Sequence, residues 1–442
     1  MTATSLAFYA FFLAGTSLAF LRHPIFGLLT YVGVFYLSPA DRWWGVGWAS
    51  EVRWSLLAGG ITLLAMLIHR DKLRKAPFWG RGPVVGMLLF VLWLAIQLLW
   101  APEPDQQLDL LTIYAKFLIV LVLISRCIDS PKSLVMFLWA HVLGCFYFGF
   151  IVFTKYRGGR FEGFGGPGLD DANAGALAFA TGVLAAAALF LVGRIREKVA
   201  LILTMPIVLN GLVATISRSG FLAITVGGGV FNLFSPRKFR ARVRALSILG
   251  LVLVLLITNP LYWARMASIK YAGAEVVDVD TGGGRLEIME AQWRMFKAHP
   301  LGCGHRCTAL LSGSYLDDKY LTGVEGERAR SSHNTFMSLL VEQGLPGAVF
   351  YAAMLVWLAR STLILWRIYR VSESPESRIF PAVAAVLAAI TIGDMFVDFL
   401  KFEIRLWFIG ITMVLVGTPS GQISADAGAT ALVPGLSPDS SR

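Results

Sequence analysis

Long apolar runs dominate this chain and limit what it can fold into. A helix needs roughly 20 apolar residues to cross the ~30 Å hydrocarbon core of a bilayer. Lipid offers the backbone no hydrogen-bond partners, so only helices and closed barrels span it. The runs predict an all-α integral membrane protein with 12 or 13 transmembrane helices. They lie at about 5–21, 25–39, 54–68, 83–100, 110–125, 133–153, 173–193, 199–216, 219–234, 245–263, 345–366, 379–399 and 404–417.

The charge composition agrees with a membrane protein. Only 15% of the 442 residues are charged, against about 25% in soluble proteins. The net charge of +11 could indicate nucleic acid, but the basic residues lie in short connections, as in cytoplasmic loops of membrane proteins. No basic domain stands clear of the apolar runs, so we expect no nucleic-acid partner.

The chain reads as one polytopic membrane domain over residues 1–417, with a long loop at 264–333. Residues 418–442 are rich in Ser, Gly, Pro and Ala and are predicted to form a disordered tail. The first run has no Lys or Arg before it, unlike a signal peptide, so we expect it to stay as the first membrane segment. Arg22-His23-Pro24 then forms a tight turn or a re-entrant hairpin.

Basic connections predict the orientation of the chain. Lys and Arg crowd residues 70–81, 194–198 and 237–244, and counting spans places all three on one side, which should be cytoplasmic. The Gly-rich loop 154–171, the turn at 217–220 and the loop 264–333 fall on the opposite side. Because ATP and nucleotide sugars are absent there, a transferase on that side would need a donor already activated and carried by a lipid.

Two arginines and a histidine on that outer side are candidate functional residues. Arg218 interrupts apolar sequence, where an arginine faces a partner or a water-filled cavity, or else anchors the interface. Arg285 opens a segment with amphipathic helical spacing that ends at His299-Pro300 and is predicted to lie on the membrane surface. His333 precedes a short helix, which Ser331 or Ser332 could cap and Gly344 could close.

Other polar groups leave alternatives open. Lys155, Arg157 and Arg160 could hold a diphosphate or an anionic sugar, or could pair with Asp170 and Asp171. Asp394 and Asp398 lie four residues apart on one predicted helical face, where internal ion pairing or a cation path would explain them.

Cys303 and Cys307 flank Gly304-His305-Arg306 in the long loop. They could pair if this loop faces an oxidising compartment. A metal site is less expected, because one histidine and two cysteines supply too few ligands.

Five short motifs follow one another in the outer segments, namely Ser217-Arg218-Ser219-Gly220, Arg285-Leu286, His299-Pro300-Leu301-Gly302-Cys303-Gly304, His333-Asn334-Thr335-Phe336 and Glu342-Gln343-Gly344-Leu345-Pro346-Gly347. Their order resembles that of the bacterial O-antigen ligase and polymerase superfamily, and the first motif is similar to that family's Ser-Arg-small-Gly turn. Residues 22–39 also resemble the O-glycosylation ligases associated with exosortase systems, so the resemblance covers roughly residues 20–417.

The resemblance implies a GT-C-like membrane glycosyltransferase of the bacterial inner membrane, with its active site facing the periplasm. The donor would be a glycan on undecaprenyl diphosphate, and the acceptor would be lipid A core, a growing glycan or a protein hydroxyl. Transfer would be metal-independent and inverting, with no cofactor. An O-antigen ligase is favoured. A polymerase, a protein O-oligosaccharyltransferase and, in another class, a transporter or flippase of lipid-linked glycan are the alternatives.

The matching motifs also imply residue roles. Arg218 and Arg285 would bind the diphosphate, and His333 would stand near the acceptor hydroxyl as the third catalytic residue. We further expect substrate binding by Arg157, Arg160, Asn334, Arg306 and Glu342, and no metal ligands. The two cysteines of the long loop are not part of the family pattern.

Overall fold

The computed structural model describes residues 2–75, 81–169, 171–258, 260–271, 284–321 and 329–418. Helices carry the regular structure of these residues, as predicted. In chain order they are α1 (Ala3–Leu21), α2 (Ile25–Leu37), α3 (Trp48–Glu51), α4 (Trp54–Ile68), α5 (Gly82–Gln97), α6 (Pro104–Cys127), α7 (Pro131–Lys155), α8 (Ala172–Val192), α9 (Ile195–Ala214), α10 (Arg218–Phe234), α11 (Arg240–Ile257), α12 (Pro260–Ala267), α13 (Arg285–Ala298), α14 (Cys307–Tyr315), α15 (Thr335–Glu342), α16 (Gly344–Tyr369), α17 (Pro375–Gly393) and α18 (Ile404–Val416).

Most helices coincide with the predicted apolar runs, although the run 245–263 is divided between α11 and α12. The chain is an all-α integral membrane protein that crosses the bilayer several times. Seven described helices are long and apolar enough to cross a membrane, namely α1, α6, α7, α8, α9, α16 and α17. Shorter apolar helices, such as α4 and α18, accompany them. The total of 12 or 13 spans stays a prediction, as does the division at residue 417. Of the predicted tail, residues 419–442 lie outside the described residues, as does Asp170.

Small residues bring α8, α10 and α17 into close contact at the centre of the bundle. A Cβ on Gly227 of α10 would lie 3.2 Å from the Ala385 carbonyl oxygen of α17. Lipid supplies no hydrophobic force between helices, so association depends on such close packing. Helices at the periphery keep large apolar side chains exposed, as Ile248 and Leu256 of α11 do, and these faces suit contact with lipid tails.

The basic connections meet at one end of the bundle. Arg126 Nη1 donates to the Arg74 carbonyl oxygen at 2.8 Å, and Lys238 Nζ lies 2.6 Å from Glu373 Oε1. Arg74 also lines a cavity together with Glu376, which joins these contacts at a common end. The first and third basic connections therefore lie together, as span counting predicted.

The polar segments gather at the opposite end of the bundle. Gln97 Nε2 of α5 donates to the Glu342 carbonyl oxygen of α15 at 3.0 Å. Trp100 Nε1 donates to the Gly302 carbonyl oxygen at 2.9 Å. These bonds fasten the described part of the loop 264–333, which contributes α13 and α14, to the ends of the membrane helices.

Two glycines allow the backbone after α13 to cross close to the backbone at the end of α15. Gly302 and Gly344 have φ angles of +83° and +67°, and a Cβ on Gly344 would overlap the backbone of Leu301 and Gly302. Gly344 follows the C-cap of α15 at Gln343, which is the C′ position predicted from the sequence.

Gly344→Ala is expected to lower the free energy of unfolding by about 2 kcal/mol or more, because left-handed backbone alone costs an L-residue about 1–2 kcal/mol. Thermal unfolding of the detergent-solubilised protein measures the change. Gly313→Ala in α14 is the control, since its added Cβ meets no other atom within 4 Å. Equal stability of wild type and Gly344→Ala would contradict the assigned crossing.

Two local predictions were wrong. The cap of α15 is Asn334, whose side-chain oxygen accepts from the Met337 amide at 3.1 Å, rather than Ser331 or Ser332. Asp394 and Asp398 do not share a helical face, because α17 ends at Gly393 and Asp398 lies in the connection to α18. The residues after Gly393 remain mostly apolar, so the apolar pattern of the sequence did not reveal the end of the helix.

Candidate functional site

The turn before α10 sets the position of Arg218. Ser217 caps the helix, since its side-chain oxygen accepts from the Gly220 amide at 3.1 Å, and its hydroxyl donates to Asn173 Oδ1 at 2.8 Å. Arg218 is therefore held in the first turn of α10, where its Nη1 donates to Ser268 Oγ at 3.1 Å.

Arg285 approaches the same place from α13, which starts at Arg285 as predicted. Its guanidinium carbon lies 5.6 Å from the centre of the Phe396 ring, a cation–π distance. Phe396 belongs to the connection between α17 and α18, so the outer loop and the last two membrane helices meet around this arginine.

Thr335 ties His333 to that same connection. The Thr335 amide donates to the Asp394 carbonyl oxygen at 2.8 Å, and its hydroxyl donates to the Val397 carbonyl oxygen at 2.8 Å. Asn334 Nδ2 donates to the Met395 carbonyl oxygen at 3.3 Å. These bonds fix the backbone on the C-terminal side of His333.

The three elements enclose a cavity of about 220 Å³, which we call the arginine cavity. Five arginines line it together with one histidine, namely Arg160, Arg218, Arg265, Arg285, Arg330 and His333. No Asp or Glu is found among the described residues that line it. Arg330 Nε is buried and has no hydrogen-bond partner within the described part of the chain. Such a concentration of guanidinium groups suits an anion that carries several phosphate oxygens.

Backbone strain is concentrated at this cavity. Ile216 and His333, which both line it, have φ angles of +46° and +50°. Left-handed backbone is a genuine outlier for a β-branched residue such as Ile216. Strain of this kind persists where the surroundings hold it, and it collects at functional sites.

Charge around the cavity also acts on His333. Desolvation, followed by the positive charges of Arg330 and Arg285, lowers the pKa of the His333 imidazole, while Asp171 opposes the change. His333 is therefore held in its neutral form, which can accept a proton.

A second cavity of about 310 Å³ lies beside the first, and we call it the acidic cavity. Asp171, Glu342 and Asp398 line it together with His305, Arg306 and Lys401. Ser332 lines both cavities. Two of the predicted substrate-binding residues, Arg306 and Glu342, thus lie here rather than in the arginine cavity.

The remaining predicted binding residues divide between the cavities and the surface. Arg160 and Asn334 line the arginine cavity, although Asn334 also uses its side chain as the cap of α15. Arg157 lies outside both cavities, where its Nη1 donates to the carbonyl oxygens of Thr154 and Tyr156. Arg157 is therefore not among the residues that line either cavity.

Sequence reasoning missed two arginines of the arginine cavity. Arg330 stands three residues before His333, a proximity that could have drawn attention to it. Arg265 lies in α12 with no recognisable pattern around it. Only the fold brings Arg265 to the cavity.

Cys303 and Cys307 form a disulfide with their Cα atoms 5.8 Å apart. Both cysteines pack with Met295 and Val341, so the bridge joins the loop after α13 to α14 beside the acidic cavity. The alternative of paired cysteines is thereby confirmed. The described residues contain no group of three or more His, Cys, Asp or Glu side chains that could hold a metal.

One known protein family matches the central part of the chain. Residues 203–352 match the family model described as O-antigen ligase, and no curated protein matches the chain significantly. The match contains Arg218, Arg285 and His333, and it confirms the resemblance to the O-antigen ligase and polymerase superfamily. It supports, at a coarse level, a membrane ligase or polymerase activity that joins lipid-linked glycans to acceptors.

Proposed function

We propose that the protein transfers a glycan from undecaprenyl diphosphate to an acceptor hydroxyl on the periplasmic face of the bacterial inner membrane, as an O-antigen ligase with lipid A core as acceptor. The observation that carries this proposal is the arginine cavity, in which five guanidinium groups meet beside a neutral histidine. Transfer would be inverting and independent of metal, within a GT-C-like helical fold.

The arginines suit a diphosphate leaving group. Negative charge builds on the diphosphate as the glycosidic bond breaks, and guanidinium groups stay charged and bind phosphate oxygens in pairs. Arg218 and Arg285 lie on different helices, α10 and α13, so they can bind the diphosphate from two directions. Donors fixed in advance towards developing charge each lower such barriers by about 2.7–4 kcal/mol.

His333 suits the acceptor side of the reaction. In the proposed step the acceptor hydroxyl oxygen bonds to the anomeric carbon from the face opposite the diphosphate. The bond between that carbon and the diphosphate oxygen breaks, and its electron pair leaves with undecaprenyl diphosphate. The hydroxyl proton passes to the neutral His333 imidazole, a transfer typically worth ~10²–10⁴ in rate.

The alternatives differ in acceptor or in class. A polymerase or a protein O-oligosaccharyltransferase would use the same arginine cavity and differ only in the acceptor. A transporter or flippase would need a path for a cation or proton within the membrane, for which Asp394 and Asp398 were the candidates. Asp394 is instead ion-paired with Arg405 and accepts from Tyr351 and Thr335, which favours a structural role.

Transfer by the purified protein in nanodiscs tests the proposal. Undecaprenyl-diphosphate glycan is supplied with lipid A core, with a lipid-linked repeat unit or with a serine peptide, in the presence of EDTA. We expect glycosylated lipid A core with inverted anomeric configuration and release of undecaprenyl diphosphate. His333→Ala should remove most of the activity, with a rate loss of about 10²–10⁴-fold. A folded wild type that transfers to no acceptor would refute the proposal, and transfer to the repeat unit alone would make it a polymerase.

Arg330→Gln is expected to move the acid limb of the pH profile of kcat/KM to higher pH. Arg330 lowers the pKa of His333, so its removal raises that pKa. The neutral imidazole that accepts the proton is then lost at a higher pH as the solution is acidified. Arg157→Gln, which changes an arginine outside the cavity, should leave the profile unchanged, and a shift of Arg330→Gln towards lower pH would contradict the role of His333 as base.

A further inference from the structure

His305 is a buried polar side chain in the lining of the acidic cavity. It is only 7% exposed, and its Nδ1 lies 2.9 Å from Glu342 Oε2. The Glu342 carboxylate can only accept, so Nδ1 carries a proton. His305 Nε2 is buried and has no hydrogen-bond partner within the described part of the chain. A buried polar atom without a partner costs free energy, which a ligand bound in the cavity would recover.

Other groups of the cavity offer both hydrogen-bond acceptors and donors. Asp398 accepts from Ser338 Oγ at 2.6 Å through Oδ2 and lines the cavity together with Lys401. The Thr308 hydroxyl also lines the cavity, and it is buried without a partner among the described residues. Hydroxyl groups donate and accept at once, so a molecule with several hydroxyls fits this mixed lining better than an anion does.

The two cavities differ in the charged residues that line them. Three carboxylates, those of Asp171, Glu342 and Asp398, line the acidic cavity beside the cations Arg306 and Lys401, whereas the described lining of the arginine cavity has five arginines and no carboxylate. A diphosphate is therefore favoured in the arginine cavity over the acidic one. The shared residue Ser332 precedes His333, which places the proposed base at the boundary between the cavities.

We propose that the acidic cavity binds the acceptor as a sugar, with His305 Nε2 and Asp398 hydrogen-bonded to hydroxyls of the ring that is glycosylated. The bound ring presents one hydroxyl past Ser332 to His333. This inference rests on the proposed function and narrows it, because a serine or threonine side chain offers one hydroxyl and cannot satisfy several groups of the cavity together.

Steady-state kinetics and donor binding, measured on the same variants in nanodiscs, test the assignment. Asp398→Asn keeps the shape of the side chain, and His305→Gln keeps a polar group. Asp318→Asn is the matched control, because it removes an exposed carboxylate of the same outer loop. The sugar acceptors are lipid A core and an undecaprenyl-diphosphate repeat unit, whose comparison identifies the source of the sugar. A serine peptide is the third acceptor, and undecaprenyl diphosphate alone is the probe of the arginine cavity.

We expect Asp398→Asn and His305→Gln to raise KM for the sugar acceptor about tenfold or more, the loss of one hydrogen bond to a charged or buried group. Their Kd for undecaprenyl diphosphate should stay within about twofold, as should every constant of Asp318→Asn. Unchanged acceptor KM in folded Asp398→Asn, or a wild type that prefers the peptide, overturns the acceptor assignment alone. A wild type that neither binds undecaprenyl diphosphate nor transfers glycan overturns the proposed function and this inference together.

Discussion

Arg285→Ala is expected to lower kcat for glycan transfer about 10²–10³-fold, the loss seen when one preorganised donor to developing charge is removed. Arg285 lies at the first turn of α13 against the Phe396 ring and lines the arginine cavity with four other arginines. Without Arg285, the diphosphate leaving group loses one charged side chain that can donate two hydrogen bonds to it. Release of undecaprenyl diphosphate in nanodiscs measures the rate.

Two further variants separate charge from geometry. Arg285→Lys keeps the charge but loses the paired donors of the guanidinium, so it should fall between wild type and Arg285→Ala. Arg157→Ala removes an exposed arginine outside both cavities and should change kcat less than about twofold. Wild-type rates in Arg285→Ala, with the helical content of the protein preserved, would refute the assignment of the arginine cavity to the diphosphate.

Arg405→Ala is expected to lower the free energy of unfolding by about 3–5 kcal/mol, because it leaves a buried charge without its partner. Arg405 is ion-paired with Asp394 and donates to the Tyr351 hydroxyl through Nη1 at 2.8 Å. Asp394 also accepts a hydrogen bond from the Thr335 hydroxyl, so the change should make the position of His333 less well fixed. Thermal unfolding in detergent and the transfer rate should both fall.

An exposed ion pair provides the control for Arg405→Ala. Lys238 and Glu373 pair at the opposite end of the bundle with most of their side chains exposed, and solvent screens such pairs. Lys238→Ala should therefore leave the unfolding temperature unchanged. If Arg405→Ala unfolds at the wild-type temperature, the pair with Asp394 does not hold the connection between α17 and α18.

Much of the helical architecture can be predicted from the sequence, because hydropathy acts locally. A run such as 173–193 becomes α8, and its bounds differ by only one residue at each end. The break at Gly393 was missed because the residues after it remain mostly apolar, whereas their backbone is shaped by distant bonds to Thr335. Local hydropathy carries no information about such bonds.

The candidate site shows the same division between local and distant information. Arg218, Arg285 and His333 stand in short motifs that can be read from the sequence, and the fold brings all three to one cavity. Arg265 has no motif. Glu342 belongs to a motif but points into the second cavity, because α15 turns it towards His305. Which of two adjacent cavities a residue lines depends on helix rotation, and the motif spacing did not determine it.

The separation of the two cavities has an evolutionary consequence. The arginine cavity takes three of its guanidinium groups from α10, α12 and α13 and the other two from Arg160 and Arg330 in connecting segments. Helices α14 and α15 contribute Thr308, Ala309, Ser338 and Glu342 to the acidic cavity. Ser332 is the described residue common to both linings. Substitutions at positions that line only the acidic cavity can therefore accumulate under selection for a new acceptor while the groups that bind the donor diphosphate are kept. An architecture divided in this way can diversify by changing one half at a time.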